Sequence, residues 1–551
     1  MVKDSIANDS INTVILAAGK FDAKNISAGL ITDTGLLPIR GKPAIAWVID
    51  SAKKNKAVNI QIILRRNNTR LGRLLSYRYP DVKQVFLDTD EDLSVSLMTL
   101  LNVCDDNLPT QIILGDTLIN EPFPEECDVF LSSTNIKASK NWCLVSKNTD
   151  NHIEHIYNKE RDISLKGKEA LVGYYKFSDT KLLKQIAVSE IIQGNKDFMH
   201  ILLKYNQKRP VTIKTTQHWY DFGHISGAVQ ARLGLFSARE FNNLKVDAVR
   251  GTITKISAKK QKLLDEANWY QKLPLEISCY APRVFKVENK ANVAEVEMEM
   301  YGYANLAETF IYGSNNLEDW YNIIESLLKV HKVFEKYVEP ADKSEFEEIY
   351  VNKTIQRLAE IPTKAIETAK MMQSNYIMIN GNHYRNYPLL QNALEISVAK
   401  LVDYDKRTIV HGDYCFSNIL FDPMHYIFKF VDPRGRFKTQ TIYGDPRYDI
   451  AKLRHSIVGL YDFIVAGLYK LKDLGNNNYE FQISTPLVSE RLEAFFDELV
   501  VAYGYNSQEI KLIEALLFLT MIPLHSEDSL RQQAFYLTAI KKLNEVLYAE
   551  Q

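Results

Sequence analysis

Paired cysteines, an excess of one charge and long apolar runs are all missing from this sequence. Its five cysteines (Cys104, Cys127, Cys143, Cys279, Cys415) are odd in number, far apart and without a C-x-x-C pair. That argues against a disulfide framework and a zinc site, and it fits a reducing cytoplasm. Lys+Arg total 67 against 68 Asp+Glu, a formal charge of −1, scattered without long single-sign blocks; a general nucleic-acid-binding surface is not expected. The most apolar stretches, Ile457 to Leu471 and Ala515 to Leu524, are too short or are broken by Asp462 and Lys470. A spanning helix needs about 18 or more apolar residues, so no membrane span is expected. Met1 to Ser10 is polar and carries acids, unlike a secretory signal, so export by that route is not expected either. No internal repeat or low-complexity tract is found. What is present is ordinary globular composition, 46% hydrophobic and 25% charged over 551 residues. A chain of that length divides into two large domains or three small ones.

From Asn12 to about Lys214 short β-rich runs alternate with amphipathic helical stretches. The runs at Thr13 to Ala17, Asn59 to Leu64, Gln84 to Leu87, Gln111 to Leu114 and Val129 to Ser132 read as buried strands. Ala44 to Lys54, Arg70 to Tyr77 and Leu93 to Val103 space their apolar residues as helices do. The alternation predicts an α/β domain with a mostly parallel sheet covered on both faces. A helix at Ala228 to Phe236 closes this unit, and the polar stretch Ser237 to Asn243 is the expected linker. Beyond it the texture changes: strands over Leu244 to Ser257, a helix over Lys262 to Leu273, a strand over Ala294 to Met300, then helix for almost all of Leu317 to Lys400. The expected domains are 1–236 and 244–551, the second a small sheet-bearing lobe followed by a helical one.

Leu16-Ala17-Ala18-Gly19 follows the first strand directly, at the carboxyl edge where open α/β sheets bind ligands. Small residues there let backbone N–H groups approach phosphates and a base. Ile112-Ile113-Leu114-Gly115-Asp116 sets a carboxylate past the end of a buried strand, and His218-Trp219-Tyr220-Asp221-Phe222-Gly223 sets another before the closing helix. Two carboxylates facing bound phosphates are natural ligands for Mg²⁺, which accepts few protein ligands; read singly, Asp116 is equally a turn residue and Asp221 a helix cap.

With Leu36-Leu37-Pro38-Ile39-x-Gly41-Lys42-Pro43 between them, these segments resemble the sugar-nucleotide pyrophosphorylase type of nucleotidyltransferase over residues 12 to about 235. The resemblance implies a Rossmann-like sheet, nucleotide contacts at Leu16, Ala17, Ala18 and Gly19, and metal ligands at Asp116 and Asp221. It also implies sugar-phosphate contacts at Lys159 and at Gly173, in Leu171-Val172-Gly173-Tyr174-Tyr175-Lys176-Phe177. The implied reaction is attack of a phosphomonoester on the α-phosphate of an NTP, CTP or another, with release of pyrophosphate. The sequence departs from the family where further glycine and arginine follow L-A-A-G and a P-K pair precedes L-L-P. Here Lys20-Phe21-Asp22-Ala23-Lys24-Asn25 and Asp33-Thr34 stand in those places. Either Lys20, Lys24 or Arg40 balances the triphosphate charge instead, or the domain is slow, altered in substrate or only a binder.

In the second half, Val410-His411-Gly412-Asp413-Tyr414-Cys415-Phe416-Ser417-Asn418 is followed by Phe430-Val431-Asp432-Pro433-Arg434-Gly435. Phosphoryl transfer from ATP needs a carboxylate at the acceptor hydroxyl, then an amide oxygen and a second carboxylate on Mg²⁺. Asp413, Asn418 and Asp432 supply them at suitable spacing. With Gly444-Asp445-Pro446-Arg447-Tyr448-Asp449-Ile450-Ala451-Lys452-Leu453, whose Asp449 would support the loop from a helix start, these residues resemble the aminoglycoside phosphotransferase and choline kinase family. That implies a protein-kinase-like α+β fold of two lobes, with ATP contacts at Lys255, its ion-pair partner Glu266, and Glu299 and Tyr301 at the hinge. A full glycine-rich loop is missing. Arg434, Arg436 and Lys438 bring three cations beside Asp432, which suits an anionic acceptor, although Tyr443, Tyr448 and Tyr461 offer aromatic faces to a quaternary ammonium.

A kinase that makes a phosphomonoester and a nucleotidyltransferase that consumes one are consecutive steps. The expectation is a cytoplasmic bifunctional enzyme using ATP, a second NTP and Mg²⁺ on small-molecule substrates, in capsule or other surface-polysaccharide biosynthesis. Its rivals are a fused choline kinase and phosphocholine cytidylyltransferase, a kinase with a nucleotide-sensing amino-terminal domain, and an antibiotic-modifying phosphotransferase.

Overall fold

Every residue of the strand Asn12–Leu16 is buried, as expected of a strand covered on both faces. It sits inside a nine-stranded sheet of the first of two units, Met1–Phe236 and Ser237–Gln551, into which the chain divides. The computed structural model describes residues 11–18, 33–88, 93–136, 139–160, 162–195, 197–224, 227, 231, 235, 242–247, 249–485 and 489–548.

Ile60–Arg65 and Thr110–Leu114 flank Asn12–Leu16 in parallel, and Lys83–Leu87 runs parallel to Ile60–Arg65. The sheet then turns antiparallel: Glu169–Phe177 opposes Thr110–Leu114, Val129–Ser133 and Cys143–Lys147. It is therefore mixed: Glu169–Phe177 brings the antiparallel pairs, and the last strand of the sheet, Thr212–Thr215, again runs parallel, beside Val129–Ser133. Helix Leu93–Leu101 packs on Asn12–Leu16 and Ile60–Arg65 and buries Leu97, Leu100 and Leu101, each contributing about 1.5–3 kcal/mol. Because Leu16 and Leu114 are in register, Ala17-Ala18 and Gly115-Asp116 leave the sheet at the same edge. The helix expected at Ala228 to Phe236 falls almost wholly outside the described residues, and the strand Asn242–Asp247 begins inside the expected linker.

The second unit opens with a four-stranded antiparallel sheet in the order Asn242–Asp247, Thr252–Ser257, Ala294–Glu299, Val284–Asn289, with helix Lys260–Lys272 against it. Helices Leu317–Phe334, Pro446–Ile457, Ser507–Met521 and Ser529–Tyr548 form the larger part, with the short hairpin Ile419–Asp422 and Ile427–Phe430. The helical reading of Leu317 to Lys400 is corrected by Val338–Pro340 and by a hairpin, Tyr376–Ile379 with Asn382–Arg385. That hairpin joins Asn478–Ile483 and Tyr469–Asp473 in a second four-stranded sheet. Its signal was Asn380-Gly381, both with positive φ (53° and 79°), the two-residue turn chemistry of a hairpin; four-residue strands are too short to stand out against flanking helices. Among the described residues no helix is long and apolar enough to cross a membrane.

Candidate active sites

In the first unit the short strand Trp219–Asp221 pairs antiparallel with Thr117–Ile119, setting Asp221 opposite Thr117. The pairing brings two carboxylates together across Gly223: a Cβ there would lie 2.6 Å from Asp116 Oδ2 and 3.3 Å from Asp221 Oδ1. The backbone holds both, since Phe222 N–H donates to the Asp116 carbonyl (2.8 Å) and Gly223 N–H to Asp221 Oδ1 (3.1 Å). Burial, and then the Asp221 charge, push Asp116 up to about 6, against the pull of His224 and Lys159. Paired half-buried carboxylates of this kind fit a divalent cation, which would reverse both effects.

Around this pair, a Cβ on Gly115 would lie 2.7 Å from that of Ala17, so the two loops leaving the sheet touch. Gly173 has φ +86°, and a Cβ there would stand 2.7 Å from Thr117 Oγ1. Lys159 has φ 52°, and its N–H donates to the Trp142 carbonyl at 3.2 Å. Gly19, Lys20 and Lys24 lie outside the described residues. Asp33, where the family's lysine is absent, accepts from Gly35 N–H (2.7 Å) and caps the turn Thr34–Leu36, so it supplies no cation. Sequence reasoning missed the aromatic wall: Trp142 lies 4.9 Å from both Trp219 and His224, ring to ring, and His224 Nδ1 is 2.8 Å from Asp221 Oδ2.

In the second unit Lys255, on strand Thr252–Ser257, donates to Glu266 Oε1 at 2.6 Å and also bonds Asp432. Tyr270 ties the same groups, its hydroxyl donating to Glu266 (3.2 Å) and accepting from Asp432 N–H (3.1 Å). Asp432 is held at φ 58°, unusual for a non-glycine residue. Asn418 Nδ2 donates to Asp413 Oδ2 at 2.9 Å and to its carbonyl at 3.0 Å, which leaves the amide oxygen as the atom suited to a cation shared with Asp432. The buried Asp449 accepts His411 N–H (2.6 Å) and Gly412 N–H (2.8 Å) and so fixes the loop. His411 is buried with its pKa lowered by that burial, and burial raises Cys415; neither is placed to react. Where the resemblance places the hinge, the Tyr301 hydroxyl donates to Glu299 Oε2 (2.6 Å), which also accepts Arg283 N–H (3.0 Å).

The three cations beside Asp432 part company. Arg436 is held by Asp265 through Nε (2.6 Å) and Nη2 (3.1 Å), so the expected acceptor contact would require breaking that pair. Lys438 donates to Ser344 Oγ at 2.8 Å. Arg434 stays with the loop: its N–H donates to the His411 carbonyl (2.9 Å), and its guanidinium lies 5.2 Å from the Tyr448 ring. Sequence reasoning gave no role to Lys452, whose Nζ is 2.9 Å from Asp413 Oδ1. Burial opposes ionisation, but Lys452, His411 and Arg434 together hold Asp413 below the usual carboxylate range. Lys353 was missed too, and only its place in the fold reveals it.

No family model and no curated protein matches the chain. Among solved structures, the amino-terminal two-fifths is similar to nucleotidyltransferases of the sugar-nucleotide type. One is a Bacillus anthracis protein described as a glucose-1-phosphate thymidylyltransferase, 18% identical over 43% of this chain and 98% of that one, TM-score 0.35. Another is the CTP:phosphocholine cytidylyltransferase of Streptococcus pneumoniae, 16% identical over 40% of this chain and 98% of that one, TM-score 0.34. A UDP-glucose pyrophosphorylase bound to UDP-glucose is 16% identical over 41% and 98%, TM-score 0.35.

Proposed function

We propose that the chain is a bifunctional activating enzyme of the cytoplasm. Its second unit phosphorylates a sugar, polyol or hydroxy acid with ATP, and its first unit joins the phosphomonoester to the nucleotidyl group of CTP or another NTP, releasing pyrophosphate. The observation that supports this reading is that each unit brings together oxygen groups suited to a phosphate-bound cation: Asp116 and Asp221 about Gly223, and Asp432 on Lys255 with Asn418 on Asp413, where Val431 N–H donates to the Asn418 carbonyl at 2.9 Å. Such products supply capsule and other surface-polysaccharide assembly.

In the second unit Asp413 would orient the acceptor hydroxyl and take its proton, while Lys255, positioned by Glu266, would hold phosphate oxygens. In the first unit Lys159 would draw the incoming phosphomonoester toward the Asp116 and Asp221 pair. Mg²⁺, held by Asp116 with Asp221 and by Asn418 with Asp432, would screen the phosphate charge. Arg434 and Lys353 around Tyr448 repel a cation arriving at Asp413, which disfavours choline as acceptor. The test is pyrophosphate release across a panel of NTPs and sugar phosphates, together with ATP-dependent phosphorylation. An inert first unit that still binds nucleotide would favour the sensing role, and turnover of choline alone the fused choline pathway.

A further inference from the structure

Three cationic side chains gather around one buried tyrosine beside Asp413, and two of them have no carboxylate partner among the described residues. Lys353, on helix Lys353–Lys364, places Nζ 3.4 Å from the Tyr448 hydroxyl and 5.7 Å from its ring centre. The Arg434 guanidinium lies 5.2 Å from the same ring and 5.3 Å from Phe437. Lys452, one turn along the helix that carries Tyr448, is spent on Asp413. Tyr448 is 4% exposed and Lys452 8%.

The placement is rigid. Gly412 has φ +77°, and a Cβ there would lie 2.7 Å from that of Arg434, so Arg434 is wedged against the loop that carries Asp413. Lys353 has no carboxylate within bonding distance among the described residues and Arg434 shares only the Asp413 charge that Lys452 already takes, so holding both in a partly buried site costs solvation and mutual repulsion. A ligand anion between them removes both costs. The ATP phosphates already have Lys255, which is tied to Glu266 and Asp432, whereas Lys353 and Arg434 collect where the acceptor hydroxyl must reach Asp413.

We propose that Lys353 and Arg434, with the Tyr448 hydroxyl, form an anion subsite that receives a carboxylate or phosphate carried by the acceptor a few bonds from its reacting hydroxyl. The proposal rests on the kinase reading of this unit. In the step itself the hydroxyl oxygen bonds to the γ-phosphorus of ATP, the bond from that phosphorus to the bridging oxygen breaks to give ADP, and the hydroxyl proton passes to Asp413. The product carries two anionic groups, one from each end.

The experiment uses the full chain with Mg·ATP and measures ADP release with glycerol, a neutral hexose, choline, glycerate, glycerol 3-phosphate and a hexose 6-phosphate. Turnover is expected among the last three, and comparing glycerate with the phosphates identifies which anion the site prefers. Lys353→Met and Arg434→Met should each raise the KM for that acceptor by about 10–100-fold, the loss of one charge-assisted hydrogen bond, with the KM for ATP unchanged; Lys353→Arg should restore most of it. Turnover confined to glycerol, hexose or choline, or an anionic acceptor whose KM neither variant moves, would overturn the subsite. If no acceptor turns over, binding of inorganic phosphate and of malonate in the presence of Mg·ADP decides. Binding lost in Lys353→Met supports the subsite even where the kinase reading has failed; no binding, or binding equal in the variant, sinks it.

Discussion

At the scale of single residues, the acid–base character of Asp413 is set by a partner no motif names. Lys452 reaches it from the helix Pro446–Ile457, and both side chains shift toward their charged forms, Asp413 downward and Lys452 upward. Replacing Lys452 by Met removes the nearest positive charge and leaves Asp413 to the opposing effect of burial, so its pKa must rise. The acid limb of the pH profile of kcat should therefore move to higher pH, with kcat at neutral pH lowered roughly 10–100-fold. A profile that keeps its shape while kcat falls would make Lys452 a packing residue only. Glycine matters at one position for the same loop: Gly412 combines a left-handed φ with contact to Arg434, so no other residue fits there without moving Asp413.

At the scale of elements, the helix Pro446–Ile457 is the beam on which the second site rests, since it carries Tyr448, Asp449 and Lys452. Its start is fixed by Asp445, fully buried, which accepts from Arg447 N–H (2.9 Å), Arg447 Nη2 (2.6 Å) and the Tyr350 hydroxyl (2.8 Å). Asp445→Ala would leave Arg447 buried with Glu509, the Leu401 carbonyl and the face of the Tyr404 ring. The expected loss is about 3–5 kcal/mol, read as a fall in the denaturation midpoint of the transition that Mg·ATP raises, while pyrophosphate release persists at room temperature. An unchanged midpoint would mean that Glu509 compensates for the lost carboxylate.

At the scale of the whole molecule, the two proposed chemistries should separate genetically, because the metal ligands proposed for them lie in different units. Asp413→Asn should abolish ATP-dependent phosphorylation and spare pyrophosphate release from a supplied phosphomonoester; Asp116→Ala should do the reverse. Full nucleotidyl transfer by Asp116→Ala would dismiss that aspartate as a metal ligand. The second unit also has a built-in pH response. His331 is buried with Nδ1 3.3 Å from Glu335 and Nε2 3.6 Å from Asp449. Burial alone would lower its pKa, but the two carboxylates prevail and lift it from 6.5 to about 9. A raised folded-state pKa gives stability that is complete below pH 6.5 and is lost as the pH climbs through about 9. The loss is on the order of a few kcal/mol. Urea midpoints of the wild type should decline over that window relative to those of His331→Gln; parallel curves would exclude His331 as the titrating group.

How far each feature was legible in the sequence follows from how local its causes are. Asn12–Leu16 and Thr110–Leu114 could be read from contiguous apolar residues, and the helix Ala44–Lys54 from its spacing, because burial of one face is written in neighbouring positions. Asp413 and Asn418 share one short loop, so their proximity is a matter of chain spacing. Tertiary structure alone decided what depends on strand register or on competition between distant charges. The resemblance already puts Asp116 and Asp221 in one site; what the tertiary structure adds is the pairing of Trp219–Asp221 with Thr117–Ile119 that carries one to the other. Asp265 captures Arg436 and leaves Arg434 to Tyr448, and Lys353 arrives at that ring from a helix whose own sequence says nothing of phosphate. Those contacts join segments remote in the chain, and an ion pair or a shared cation is chosen by distance in space, which periodicity and motif spacing do not encode.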